Sequence, residues 1–162
     1  MTRQDGKRML LFILLIFWMG LIFFFSAKPA VQSAKMSTSV GKMIGRVGVP
    51  EFEEWSDTKQ DAFAKKIDFA VRKSAHACEY AVLSVLFFVN YKKKSRKIKQ
   101  IVGMSALSTA LYAVTDEIHQ LFVPGRSGQI TDVILDSCGG LIGAVLSAII
   151  LYLIRKRKKD GS

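Results

Sequence analysis

Proline occurs three times in 162 residues, cysteine twice and histidine twice, and only 13 Asp and Glu stand against 24 Lys and Arg. So little proline, beside eleven Phe and six Met, excludes a disordered basic tail. Two cysteines without metal-ligand spacing, Cys78 and Cys138, are expected to be small buried packing residues. There is no internal repeat and no low-complexity linker. What the chain has in quantity is apolar surface: half of it is AVILMFWYC and the mean hydropathy is +0.25, although the formal charge is +11. An 18.0 kDa soluble domain rarely combines the two. They are compatible only if apolar and charged residues are segregated along the chain, and here they are.

Residues 9–25 carry no charge, and with Ser26 and Ala27 they form a run long enough to cross a hydrocarbon core of about 30 Å. Three further apolar runs follow, giving expected spans over 9–27, 74–91, 101–119 and 133–154, with an outer loop over 28–73. The third is the shortest: its fifteen uncharged residues, 101–115, reach only about 22 Å. It spans only if Asp116 and Glu117 sit near a membrane face or are buried in protein. The first run follows Arg3, Lys7 and Arg8 as a signal peptide would. Its length, and the absence of a good small-x-small site after it, predict an uncleaved anchor.

Orientation follows from the cations. The segments before span one, between spans two and three, and after span four share one side of the membrane. They hold Arg3, Lys7 and Arg8, then Lys92, Lys93, Lys94, Arg96, Lys97 and Lys99, then Arg155 to Lys159. That is fourteen cations, opposed only by Asp5 and Asp160. The positive-inside rule places this side, and both termini, in the cytoplasm. Clusters resting on anionic lipid headgroups account for the basic runs, so no nucleic-acid partner is expected.

The outer loop is too long for a plain connector. Met36, Val40, Met43, Ile44 and Val47 recur at helical spacing with Lys42 and Arg46 among them, which predicts a short helix in the outer interface. Gly48-Val49-Pro50 breaks it. Phe52 and Trp55 are expected as interfacial anchors, and Ser56 or Thr58 as the cap of a helix that can run on into the second span.

Ionisable side chains inside a span cost about 2.5–3.5 kcal/mol each on insertion scales, so each needs a reason. The second span carries Arg72, His76 and Glu79 on one helical face, with Lys73 and Tyr80 beside them. The third ends with Asp116, His119 and Gln120 on one face and Glu117 flanking it. The turn Val123-Pro124-Gly125-Arg126 follows, then Asp132 and Asp136 four residues apart on the fourth span. Topology gathers all three groups at the outer ends of their helices.

These segments, RKSAHACEY, DEIHQLFVPGRSGQITD and DSCGGLIG, resemble in order and spacing the signature stretches of the VanZ-like family, over about residues 70–145. The resemblance implies a single small domain, 1–162, in the bacterial cytoplasmic membrane. It also implies an association with resistance to the glycopeptide teicoplanin, the property linked with the family's founding member. The expected fold is all-α, an integral membrane bundle of four transmembrane helices with an extracytoplasmic interfacial amphipathic segment.

Three readings of the polar cluster stand open. As a divalent-metal centre it would use His76, Glu79, Asp116 and His119, completed by Asp132 and Asp136. As a metal-free catalytic site it would draw on His76, Glu79, Asp116, Glu117 and His119 for acid–base work, with Arg126 and the Gly125 turn on a phosphate. Its ligands at that depth would be lipid headgroups, lipid-linked wall precursors or a glycopeptide. Arg72, Lys73, Tyr80, Gln120, Gly125, Arg126, Asp132 and Asp136 are the candidate binding residues. The third reading is an ion-pair network, in which Arg72, Lys73 and Arg126 neutralise Asp116, Asp132 or Asp136 and the histidines hydrogen-bond within the bundle. Gly139 and Gly143 give a Gly-x-x-x-Gly spacing that suits close intrachain helix packing.

Overall fold

The structure, a computed structural model, describes residues 2–92 and 96–160. Lys93 and Lys94 of the second cationic cluster lie outside the described residues, as does the side chain of Arg3. Five helices make up the described fold, with no strand among the described residues: α1 (Arg3–Ser26), α2 (Ala30–Gly48), α3 (Asp57–Tyr91), α4 (Ile98–Gln120) and α5 (Ile130–Asp160). α1, from Gln4 to Ser26, and α5 are each long and apolar enough to cross a membrane. Thr2 and Asp5 close the start of α1 as a capping box, the Asp5 amide donating to Thr2 Oγ1 and the Thr2 amide to Asp5 Oδ2.

α3 is the central element and packs against each of the other four helices. Its pairing with α5 depends on glycine. A Cβ at Gly139 would lie 2.4 Å from the Ala77 carbonyl oxygen, and one at Gly143 would lie 2.2 Å from that of Ala81. The Gly-x-x-x-Gly spacing therefore serves packing within the chain, and Gly140 in the same stretch receives the Thr109 methyl of α4.

Small and hydroxyl-bearing residues share the interior with the apolar core of Ile22, Leu83, Phe88 and Ile101. Ser84, Ser105, Thr109, Ala113 and Ala144 are fully buried, while Leu107, Leu111, Val114 and Ile118 form an exposed stripe along α4. Small residues let helix backbones approach closely, which is how helices associate when the surroundings are as apolar as the side chains. The same inversion corrects the expectation for cysteine: Cys78 and Cys138 are free thiols, and both are exposed on helix surfaces.

The segment expected as a short interfacial helix is longer and lies against protein. α2 runs antiparallel along the first half of α3: Gly41 meets Ala64, Lys42 pairs with Asp61 at 2.7 Å, and the Ser37 hydroxyl donates to Asp68. Its buried face is Ser37, Gly41 and Gly45; Met36, Val40 and Ile44 flank that face, half-exposed along the groove beside α3, and Met43 and Val47 point outward. Phe52 is not an interfacial anchor but is 2% exposed. Its ring fills the space over Gly45 and packs on Trp55 and Phe63, closing the hairpin. α3 starts after Ser56, as expected, although the Ser56 side chain makes no capping hydrogen bond. It then continues unbroken into the second apolar run.

The Lys42 side chain, by hydrogen bond and charge, holds the Asp61 carboxyl below the ordinary aspartate value of 3.8. A carboxyl lowered in the folded state stabilises above its unfolded value and loses that contribution as pH falls through the folded value. Carboxyl-detected NMR should find Asp61 titrating below 3.8, with the shift abolished in Lys42→Met. An unchanged Asp61 titration in that variant would mean the pair is not formed in solution.

Candidate functional site

The polar residues in the middle of α3, at the end of α4 and at the start of α5 divide into two groups, an interior nest and the wall of a pocket. The nest lies between α1, α3, α4 and α5. Asp116 Oδ2 accepts from Ser26 Oγ at 2.8 Å and from Gln120 Nε2 at 3.2 Å. Gln120 Nε2 also donates to Glu117 Oε1 at 3.2 Å, and the Gln129 amide donates to Glu117 Oε2 at 2.9 Å. The latter contact brings the start of α5 tightly over the end of α4. A Cβ at Gly128 would lie 2.7 Å from the Glu117 carbonyl oxygen, so only glycine fits there. Asp136 (1% exposed) and Tyr80 (0%) complete the nest; the Tyr80 hydroxyl is directed at Asp116, and among the described residues neither Asp136 carboxylate oxygen has a hydrogen-bond partner. No described residue forms an ion pair with Asp116, Glu117 or Asp136. Buried polar atoms are partnered in the great majority of cases, so the Asp136 carboxylate stands out.

The expected ion-pair network is only partly formed. Lys73 pairs with Asp132 and ties α3 to α5. Arg72 pairs instead with Asp68, one turn back on its own helix, at 2.8 Å. Arg126 makes no ion pair among the described residues: its Nε donates to the Lys28 carbonyl at 3.2 Å and its Nη1 to Gln120 Oε1 at 3.4 Å. The histidines do not hydrogen-bond within the bundle as that reading supposed. His76 Nδ1 and His119 Nε2 are both unpartnered, and the His119 ring instead lies on Phe23, centroids 4.1 Å apart.

The second group faces a half-open pocket of about 630 Å³ between α2 and α3, bounded at one end by the α1–α2 junction and the α4–α5 turn. Arg72, His76, Glu79, Lys28 and Arg126 line its polar end. Gly125 does not line it; with φ of +73° it supplies the left-handed turn that carries Arg126 into place. The Ala30 amide donates to the Pro124 carbonyl at 3.2 Å and holds the start of α2 beside the same turn. Partial burial, and then the neighbouring Arg72 charge, push the Arg126 guanidinium below its ordinary value. It stays a cation, as arginine does, and with Lys28 and the Asp68-paired Arg72 it gives this end of the pocket three cations beside one carboxylate, Glu79. Among the described residues no group of three or more His, Cys, Asp or Glu side chains converges as a shell for a metal ion.

Sequence reasoning missed three contributors, Ser26 at the end of the first apolar run, Lys28 just after it and Trp18 within it. Ser26 holds Asp116, Lys28 lines the pocket, and Trp18 Nε1 donates to the Glu79 carbonyl at 3.0 Å. Lys28 had a visible signal, as a cation where a helix leaves the membrane. Ser26 had none, because its partner is 90 residues away.

No curated protein and no solved structure matches the chain. A family model described as VanZ/LLP1 matches residues 11–152. The two apolar helices and the family together point to a membrane protein. The match takes in every residue of the nest and of the pocket wall, and the chain belongs to the VanZ/LLP1 family.

Proposed function

We propose that this VanZ-family protein crosses the bacterial cytoplasmic membrane four times, by α1, α3, α4 and α5, with both termini in the cytoplasm. Its pocket opens at the outer leaflet and grips the anionic headgroup of an envelope lipid or lipid-linked wall precursor, and through it alters susceptibility to glycopeptides such as teicoplanin. The lipid-like stripe on α4 and the fourteen cations of the shared side support the topology. So does the length of α3: at 35 residues it reaches about 52 Å, far enough to cross the bilayer and project beyond it. The observation that carries the binding function is the pair Arg72 and Arg126, brought from two separate elements to one pocket. Arg126 has only neutral acceptors to satisfy it.

Charged hydrogen bonds of this kind contribute about 1.5–3 kcal/mol each, or roughly tenfold to a hundredfold in affinity. Arg126→Ala should therefore lose retained anionic phospholipid, read by native mass spectrometry, by about that factor, and lose the glycopeptide phenotype in cells. Arg126→Lys should recover part of it, since a point charge replaces a fork of donors. Unchanged retention and unchanged susceptibility in Arg126→Ala would refute the proposal.

A second reading, turnover of the bound headgroup, is favoured by the half-buried His76. Its Nδ1 lacks a partner while its ring lines the pocket one helical turn from Glu79 and beside Arg126. An imidazole so placed can serve as a general base. Membrane lipids and wall precursors should then differ by mass spectrometry between cells with the native protein and with His76→Ala. Identical profiles alongside a lost drug phenotype would leave binding alone.

A further inference from the structure

The pocket has a direction. Along α2 its lining passes from Ser33 through Val40 to Ile44, and along α3 from Glu79 through Arg72 to Ile67. The two helices run antiparallel, so both change from polar to apolar toward the same end. The apolar trough between Met36 and Ile44 is about 12 Å long, walled by α2 on one side and α3 on the other. α3 descends into the bilayer with increasing residue number, so Arg72 and Glu79 sit closer to the midplane than Ile67 does. A phospholipid lying in the outer leaflet has the opposite polarity, with its head outward and its chains inward. The outward faces of Met36, Val40 and Ile44 are 43%, 42% and 44% exposed on the hairpin that projects beyond the bilayer, and apolar surface left exposed there marks a binding surface.

We propose that the pocket takes an amphiphile with an anionic head and a single alkyl or acyl chain, its head against Arg72 and Arg126 and its chain lifted clear of the bilayer between α2 and α3. The inference rests on the outer-side anion site proposed above and adds the chain and its orientation. It describes a ligand taken out of the leaflet rather than one resting in it. The cations at one end and the apolar trough at the other select for both halves of such a molecule.

Cys78 is exposed and lines this pocket, whereas Cys138 is exposed elsewhere, so the Cys138→Ser protein carries a single reporter thiol. Its alkylation by a water-soluble maleimide would be followed in phosphatidylcholine nanodiscs. Palmitoyl lysophosphatidylglycerol should slow labelling about tenfold. Glycerol 3-phosphate and monopalmitoylglycerol should each slow it less than about twofold, and diacyl phosphatidylglycerol less than the single-chain lipid does. Val40→Asn, at an exposed rim position that leaves the arginines in place, should remove the protection without changing the helix content. Equal protection by glycerol 3-phosphate or by the diacyl lipid would overturn the single-chain inference and leave the anion site standing. Equal protection by the uncharged monopalmitoylglycerol would overturn the headgroup reading and the inference with it. No protection by any probe would overturn both.

Discussion

Gly143→Ala should destabilise the protein by about 1–3 kcal/mol and weaken its function as well, although it adds a single methyl group. The added carbon would sit 2.2 Å from the Ala81 carbonyl oxygen, which is backbone and has no rotamer by which to move away. α5 and α3 must therefore separate. Gly139→Ala meets Ala77 in the same way at 2.4 Å, and because both act on one interface their costs should not add. α3 also carries Arg72, His76 and Glu79, so a shift of this helix misplaces the pocket wall together with the packing. Gly103→Ala is the control: nothing lies within 4 Å of a Cβ there, and removing a helical glycine should stabilise by about 0.5–1 kcal/mol. Reversible unfolding in mixed micelles measures all three. A Gly143→Ala midpoint equal to that of the native protein would mean that α3 and α5 are not in contact along these glycines.

Two buried aspartates in one nest should respond to substitution in opposite directions. Asp116 holds the buried Ser26 hydroxyl and the Gln120 amide. Asp116→Ala leaves the Ser26 hydroxyl without an acceptor and the Gln120 amide with Glu117 alone, and it opens a void, at a cost of about 2–4 kcal/mol. Asp136 is more deeply buried, yet neither of its oxygens is partnered and no cation pairs with it. An uncompensated carboxyl group is expensive to bury, so the equal-volume Asp136→Asn should stabilise by about 1 kcal/mol. The same change should lower function, because a residue kept against the stability of the fold marks a site where chemistry or binding is selected over packing. Unfolding midpoints alongside glycopeptide susceptibility test the pair. Destabilisation by Asp136→Asn would show that a partner for this carboxylate exists in the membrane.

Much of the site could be read in the sequence as a set of residues, and little of it as a set of partnerships. Arg72, His76 and Glu79 announce themselves by spacing, and Asp132 and Asp136 by lying in an apolar run. Spacing does not say that Arg72 turns to Asp68 while Lys73 takes Asp132, nor that His119 rests on Phe23 while His76 faces the pocket. Neighbours on one helix differ by about 100° in direction, so a small rotation of the helix exchanges their partners. The first helix of the hairpin, α2, was legible as amphipathic but not in its placement. Its exposed stripe suggested a membrane surface, whereas its small residues, Ser37, Gly41 and Gly45, carry the packing and look like nothing in a hydropathy profile.

The sequence by itself determined the helical class, the apolar runs, the clustering of the cations between them and the family signature. Each of these depends on local composition measured against the fixed thickness and charge asymmetry of a bilayer. Only the tertiary structure decided which residues are joined: Ser26 to Asp116 across 90 positions, Gly143 to Ala81, and α2 to the first half of α3 with a pocket left between them. Those pairings follow from how helix surfaces of a given shape fit together, and shape complementarity is a property of two segments at once.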